Sequence, residues 1–279
     1  MDIGVYMFPD EHAMRIDDLA REVEARGFES LLVPEHSHIP ASRLTPPPFG
    51  TEVPSYYWSS VDPFVGLAMA AAVTTRLKIG TGICLVVERS PITTAKAVAS
   101  LDFLSGGRFI FGIGGGWNAE AMLNLGTRFV DRYAVLRERV LAMKEIWAHE
   151  SAEFHGQFVD FDPIWSNPKP VQRPHPPILL AGESAKVRQR VVDYCDGWLP
   201  RAKASPDIAS GVADLRSRAE EAGRDPRSIN VTVFGAQGDP TILAGYEAAG
   251  VDRVVIGLPA ADRETILPLL DRHALLLRR

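Results

Sequence analysis

The strongest constraint on the fold is the alternation of short apolar segments with helical patterns along the whole chain. Eight segments have the length and the β-branched composition of buried strands. These predicted strands are 3–7, 30–34, 77–86, 108–114, 177–182, 197–200, 229–236 and 253–258. Strands that alternate with helices form parallel sheets, and eight are the number that closes a barrel. The sequence therefore predicts an α/β fold, a (β/α)8 TIM barrel.

The length of the chain fits one such barrel. It has 279 residues, of which 46% are hydrophobic and 23% are charged, as is typical of a soluble globular protein. Because α/β barrels commonly use this many residues for one unit, we expect a single domain over residues 1–279.

Several helices have recognisable signals. In the segment 132–147, Leu136, Val140, Met143 and Trp147 share one helical face. Proline suits the first turn of a helix, and serine and aspartate suit the residue before it. Predicted helix starts lie at Pro91, Ser184, Pro206 and Asp239 with Pro240.

The charge pattern argues against several classes of partner. The net charge is −5 and no basic cluster is present, so nucleic acid and anionic membranes are not expected partners. The first residues enter a strand pattern directly, without a secretory signal, and no apolar run is long enough for a membrane span.

Cys84 and Cys195 lack metal-ligand spacing, and we interpret both as buried reduced thiols of a cytoplasmic protein.

Two segments are too long for simple connections in a barrel. Residues 37–64 follow the second strand, and residues 149–177 lie between the long helix after the fourth strand and the fifth strand. Both are rich in proline and aromatic residues, and long loops in compact domains are usually functional. We expect both to cover the substrate and to form an apolar, aromatic cleft.

Four short motifs occur at or near the carboxyl ends of successive predicted strands. They are PEHSH (34–38), GTGI (80–83), GIGGGW (112–117) and AGES (181–184). GIGGGW lacks the third glycine and the later acidic residue of a dinucleotide-binding motif. It is either a backbone nest for an anion or a tight turn without a ligand. AGES is either an ordinary helix cap or a phosphate-binding helix start.

The histidines of PEHSH have two interpretations from the residues alone. His36 has the titration range of a proton-transfer group, or it is a histidine with a structural role. With His38, it could also belong to a metal site, but no other histidine lies at the end of the fifth, sixth or eighth strand. We therefore expect no metal.

Together these motifs resemble the luciferase-like monooxygenase superfamily, whose flavin and deazaflavin enzymes are TIM barrels. Within it, the chain looks most like the branch of oxidoreductases that use coenzyme F420. The resemblance extends over almost the whole chain, in the segments 27–36, 62–83, 90–117, 132–147 and 177–184.

The resemblance implies where a cofactor binds. A cis peptide bond between Gly82 and Ile83 would lie behind the central ring of the deazaflavin. The cofactor phosphate would lie near two turns, where Glu183 contributes through its backbone because its carboxylate would repel phosphate. The residues implied at the phosphate are Gly114, Gly115, Gly116, Gly182, Glu183 and Ser184.

The resemblance also implies the catalytic residues. His36 would be the proton donor or acceptor during hydride transfer at C5 of the deazaflavin, with Glu35 or His38 orienting it or the cofactor. Two positions depart from relatives. Gly115 stands where flavin-using luciferases have a phosphate-binding arginine, and Trp117 stands where sugar-phosphate dehydrogenases have a catalytic glutamate. Trp117 could stack on the ring, line an apolar pocket or pack in the core.

Three functions remain open from the sequence. The first is an F420-dependent oxidoreductase that acts on a small organic substrate. The second is an FMN-dependent monooxygenase that uses reduced flavin and oxygen, and the third is a non-catalytic flavin-binding paralogue. Because relatives commonly dimerise through barrel helices, the resemblance also implies a homodimer.

Overall fold

A closed barrel of parallel strands forms the centre of the computed structural model, which describes residues 1–48, 50–203 and 207–278. The strands are β1 (Asp2–Tyr6), β2 (Ser30–Val33), β3 (Lys78–Cys84), β4 (Phe109–Ile113), β5 (Ser151–His155), β6 (Asp160–Trp165), β7 (Ile178–Ala181), β8 (Gly197–Leu199), β9 (Asn230–Ala236) and β10 (Arg253–Gly257). The barrel order is β1-β10-β9-β8-β7-β4-β3-β2, and β5 pairs with β6 outside the barrel. All eight predicted barrel strands are confirmed.

Helices connect the barrel strands. They are α1 (Ile16–Ala25), α2 (Tyr56–Ser59), α3 (Pro63–Ala72), α4 (Pro91–Ser105), α5 (Ala119–Asn124), α6 (Arg132–Ala148), α7 (Ala185–Tyr194), α8 (Ile208–Glu221), α9 (Pro240–Ala248) and α10 (Arg263–Ala274). The predicted starts of α4, α7 and α9 are confirmed. Pro206 lies outside the described residues, and α8 begins at Ile208 after the cap Asp207. Every described helix is too short or too polar to cross a membrane.

The helix α6 packs against the barrel through the face predicted from its sequence. Leu136, Val140, Met143 and Trp147 are all buried. The indole nitrogen of Trp147 also donates to the carbonyl of Ala95 in α4, at 3.0 Å. Burial of each such side chain contributes about 1.5–3 kcal/mol, so this face fixes the position of α6 on the barrel.

The segment 149–177 differs from its predicted form, because β5 and β6 make an antiparallel hairpin within it. The turn of this hairpin lies against α6, where the amides of Phe158 and Val159 donate to the Glu138 carboxylate at 2.6 and 3.0 Å. A long connection between β4 and β7 is therefore present, as predicted, and it contains a hairpin that the sequence did not predict.

The last part of this segment is attached to the opposite end of the barrel from the candidate site. The amide of Val171 donates to Asp102 near the end of α4, at 2.7 Å. The Gln172 side chain donates to the carbonyl of Phe109, the first residue of β4, at 2.7 Å. These bonds attach residues 171–172 to the amino end of the barrel. Residues 171–172 therefore do not lie at the carboxyl end, and the expectation that the rest of 149–177 covers a substrate stays a prediction.

Candidate active site

Aromatic side chains meet at the carboxyl ends of the barrel strands, around His36. Tyr57, from α2 in the long connection after β2, has its ring centroid 4.7 Å from that of His36. Trp117 follows β4, and its ring centroid lies 6.1 Å from that of His36, with an angle of 66° between the ring planes. Phe8, which follows β1, lies 4.9 Å from Tyr57. The connection 37–64 therefore does reach this end of the barrel, as predicted.

His36 is held in its neutral form at this position. Burial lowers the pKa of its imidazole, and the nearby His38 lowers it further, to about 4. Near neutral pH the ring therefore carries one N–H and one free lone pair. The lone pair can accept a proton from a bound molecule, and the protonated ring can then return it.

His38 lies in a hydrogen-bonded chain beside this group. Its Nε2 is 3.0 Å from the side-chain nitrogen of Asn124 in α5, and its Nδ1 is 2.9 Å from the hydroxyl of Ser37. With the Asn124 amide donating to Nε2, the ring proton lies on Nδ1 and is donated to Ser37. His38 thus attaches the segment after β2 to α5.

Glu35 contacts the next strand rather than the His36 ring. Its buried carboxylate accepts from the amide of Leu85 at 2.7 Å and forms an ion pair with Arg89. The same guanidinium contacts Asp62, the cap of α3. The carboxylate therefore joins the ends of β2 and β3 and fixes the backbone that carries His36.

Glu88 is a titratable group near this site that the sequence analysis missed. Its half-buried carboxyl is close to Glu35, and burial together with that negative charge raises its pKa to about 7. It lies in one turn of 3-10 helix after β3, and its sequence context has no feature that separates it from a surface glutamate.

The glycine turn after β4 is packed closely against neighbouring side chains. A Cβ atom on Gly115 would lie 2.9 Å from the Tyr133 ring, and one on Gly114 would lie 2.2 Å from the Ile83 side chain. Gly116 has φ of +64°, which favours glycine. The amide of Gly114 already donates to the backbone carbonyl of Cys84, at 3.2 Å. Among the described residues, the amides of Gly115 and Gly116 have no such acceptor. These two amides are therefore the ones in the turn that remain available to bind an anion.

The start of α7 lies beside this turn, because β4 and β7 are neighbours in the barrel. The Ser184 hydroxyl caps α7 by accepting from the amide of Val187 at 3.3 Å, and Gly182 has φ of +131°. The Glu183 carboxylate pairs with Arg201 at 2.8 Å. The first amides of a helix lack partners within it and attract anions. The two turns together therefore fit a phosphate group.

The peptide bond between Gly82 and Ile83 is cis, as predicted. It lies where the pairing of β3 with β4 shifts, between Thr81 and Cys84. The Ile83 side chain packs on a small apolar cluster inside the barrel, formed by Ile110, Leu179 and Leu199. In the described part of the chain, no group of three or more histidine, cysteine, aspartate or glutamate side chains is arranged to hold a metal ion.

Removal of the α7 cap is expected to have a modest effect on folding. Ser184→Ala leaves the Val187 amide without its side-chain acceptor, and loss of a cap costs about 1 kcal/mol of the free energy of unfolding. Urea denaturation measures this change. Ser217→Ala, which removes an exposed hydroxyl from α8, is the matched control and should change stability by less than about 0.5 kcal/mol. Equal stabilities of the two variants would show that the cap contributes nothing.

Comparison with known proteins identifies the family. The luciferase-like monooxygenase family model matches residues 1–237, and the chain belongs to this family. Its structure is similar to that of the monooxygenase RslO1 from Streptomyces bottropensis, with a TM-score of 0.80 and 20% identity over 99% of this chain and 98% of that one. It is also similar to the coenzyme F420-dependent tetrahydromethanopterin reductase from Methanopyrus kandleri, with a TM-score of 0.77 and 18% identity over 100% and 99% of the two chains.

Of three sequence relatives, two have names that state a cofactor. An uncharacterized protein of Mycobacterium tuberculosis is 35% identical over 98% of both chains. The F420-dependent hydroxymycolic acid dehydrogenase of that organism is 29% identical over 66% of this chain and 52% of the relative. The FMNH2-dependent dimethylsulfone monooxygenase of Pseudomonas putida is 32% identical over 58% and 45% of the two chains. The relatives therefore include enzymes of both cofactor types.

Proposed function

We propose that this chain is an F420-dependent oxidoreductase that transfers a hydride between C5 of the deazaflavin and a small organic substrate. The observation that carries the proposal is the position of His36. This neutral imidazole lies at the carboxyl end of the barrel, against Tyr57 and facing Trp117. Trp117 directly follows the glycine turn, so a proton-transfer group lies beside a turn that fits a phosphate.

The choice of F420 over FMN depends on Gly115. Flavin-using luciferases have an arginine at this position, whereas here the space is filled by the ring of Tyr133. An arginine side chain built on Gly115 would begin within 2.9 Å of that ring. The phosphate of the cofactor would therefore be held by the backbone of Gly115 and Gly116 and by the capped start of α7.

In the proposed mechanism, the bound deazaflavin supplies a ring carbon that accepts or donates a hydride. An imidazole nitrogen of His36 accepts the proton that leaves the substrate, and it returns the proton in the reverse direction. The rings of Phe8, Tyr57 and Trp117 exclude water from the reacting atoms. Glu35 acts as a positioning residue, because its bonds to Leu85 and Arg89 hold the backbone next to His36.

An anaerobic assay tests this function. Protein, oxidised or reduced F420 and a panel of alcohols, aldehydes, ketones and unsaturated compounds are mixed, and the absorbance of the oxidised deazaflavin is followed. We expect a substrate-dependent change without oxygen. F420 binding without turnover across the panel would favour the non-catalytic paralogue.

The second candidate is an FMN-dependent monooxygenase, which is favoured by the 32% identity to the dimethylsulfone monooxygenase. Oxygen consumption with reduced FMN, together with an oxygenated product, would support it against the F420 proposal.

The homodimer, the cytoplasmic location and the single domain over 1–279 stay predictions. Sedimentation of the purified protein tests whether it is a homodimer.

A further inference from the structure

Three arginines on α6 and α7 have no carboxylate partner among the described residues, and two of them, Arg132 and Arg190, lie over the ring that contacts the glycine turn. Arg132 and Arg137 belong to α6, and Arg190 belongs to α7. Among the described residues, no carboxylate oxygen lies within 4.0 Å of these three guanidinium groups, whereas the neighbouring Arg188 pairs with Asp214 at 2.5 Å. We call Arg132, Arg137 and Arg190 the arginine cluster.

Tyr133 connects this cluster to the candidate phosphate site. Its ring is the group that a Cβ atom on Gly115 would meet, at 2.9 Å. The guanidinium carbon of Arg190 lies 4.0 Å from the centre of the same ring, and that of Arg132 lies 4.7 Å from it. Two positive charges are therefore separated from the glycine turn by about the width of one aromatic ring.

Two buried donors in this region have no acceptor. The hydroxyl of Tyr194 in α7 and the Nε of Arg132 are covered from solvent and have no hydrogen-bond partner in the described part of the chain. The charges of Arg190 and Arg137 act on that hydroxyl, although burial outweighs them and raises the pKa of Tyr194. A buried donor without an acceptor is costly, so such groups commonly indicate a missing ligand or water.

The acidic side chains near the cluster have other partners. Glu138 of α6 accepts the amides of the hairpin turn, at 2.6–3.1 Å. Asp193 of α7 accepts from Gln189 at 3.0 Å, and Glu183 pairs with Arg201. None of these carboxylates therefore pairs directly with an arginine of the cluster.

We propose that the arginine cluster is a subsite for the anionic extension of the cofactor beyond its phosphate. This inference rests on the proposed function. FMN ends at its phosphate, whereas F420 continues through a phosphodiester to several carboxylates. Guanidinium groups bind phosphate and carboxylate oxygens through paired, charge-assisted hydrogen bonds. Arg132 and Arg190 bind the end of this extension that is nearer the glycine turn, and Arg137 binds the carboxylates farther along the extension.

The test compares binding of two compounds by fluorescence titration. One is intact F420, and the other is the deazaflavin alcohol that lacks the phosphate and all carboxylates. The variant Arg137→Gln with Arg190→Gln is expected to bind intact F420 roughly 10 to 100-fold more weakly than the wild type does. Its affinity for the truncated alcohol should be unchanged. Arg227→Gln, which removes an exposed arginine outside α6 and α7, is the control and should leave both affinities unchanged.

Each other outcome has a defined meaning. If the wild type binds both compounds equally, or if the double variant keeps its affinity for intact F420, the subsite is contradicted while the proposed function stands. If the double variant loses both compounds to the same extent, its arginines serve the fold and the inference is wrong. If the wild type binds neither compound, the proposed function itself fails.

Salt dependence supplies a second readout. Ionic strength screens interactions between exposed charges, so added salt should weaken the binding of F420 to the wild type more than to the double variant. Equal salt dependence of the two proteins would contradict a charge-based subsite.

Discussion

Replacement of His36 by asparagine is expected to lower turnover by about 10²–10⁴-fold, which is the usual contribution of a placed proton donor or acceptor. Asparagine keeps a polar side chain next to Tyr57 but cannot accept the proton. Because the glycine turn and the start of α7 are unchanged, the dissociation constant of F420 should change by less than about threefold. Turnover with a substrate from the panel and fluorescence titration of F420 measure the two quantities. Unchanged turnover would contradict the role of His36.

The pH dependence separates proton transfer from a structural effect. His36 has its pKa lowered from 6.5 to about 4 in the folded protein, so it is neutral above that pH. Substrate oxidation needs the neutral ring as a base, so protonation of His36 should lower the rate as the pH drops through about 4. The His36→Asn variant should lack this limb.

His38→Gln is the matched variant for the pH profile. The positive charge that His38 carries when it is protonated is one of the two causes that lower the pKa of His36, and burial is the larger. Removal of that charge should move the acidic limb to higher pH while turnover at neutral pH stays close to that of the wild type. An unshifted limb would show that another group controls the profile.

Replacement of Glu35 by alanine is expected to lower the free energy of unfolding by about 3 kcal/mol, near the lower end for breaking a buried ion pair. The change leaves the Leu85 amide without its acceptor and removes one of the two carboxylate partners of Arg89. Arg89 keeps Asp62 as a partner, which limits the loss. Urea denaturation at neutral pH measures the effect.

Two further variants give this prediction its controls. Glu35→Gln keeps an oxygen for the Leu85 amide and loses only the charge, so its cost should be smaller than that of alanine. Glu247→Ala breaks the exposed pair with the N-terminal amine and should cost less than about 1 kcal/mol. A loss below about 1 kcal/mol for Glu35→Ala would contradict its role in joining β2 to β3.

The barrel was predictable because its signals are local. Strands of a parallel barrel are buried on both faces, so segments such as 253–258 appear in the sequence as continuous apolar runs. The buried face of α6 is visible from the spacing of Leu136, Val140, Met143 and Trp147. The hairpin β5–β6 was missed because its turn is held by Glu138, whose carboxylate lies about twenty residues earlier in the chain.

The site was predictable only at the level of motifs. The sequence places His36, Gly115 and Ser184 at neighbouring strand ends, and the structure brings their segments to the same end of the barrel. The sequence does not reveal that the Glu35 carboxylate pairs with Arg89, which is 54 positions away. Nor does it reveal that the Gly114 amide already donates to the carbonyl of Cys84. The arginine cluster was missed for the same reason, because α6 and α7 meet only in the folded chain.

Equilibrium titration of the purified protein with F420 and, separately, with FMN tests the cofactor assignment most directly. The space at Gly115 is occupied by Tyr133, and arginines without carboxylate partners lie beyond it. We therefore predict tight binding of F420 and much weaker binding of FMN. Tight binding of FMN with no binding of F420 would contradict the account.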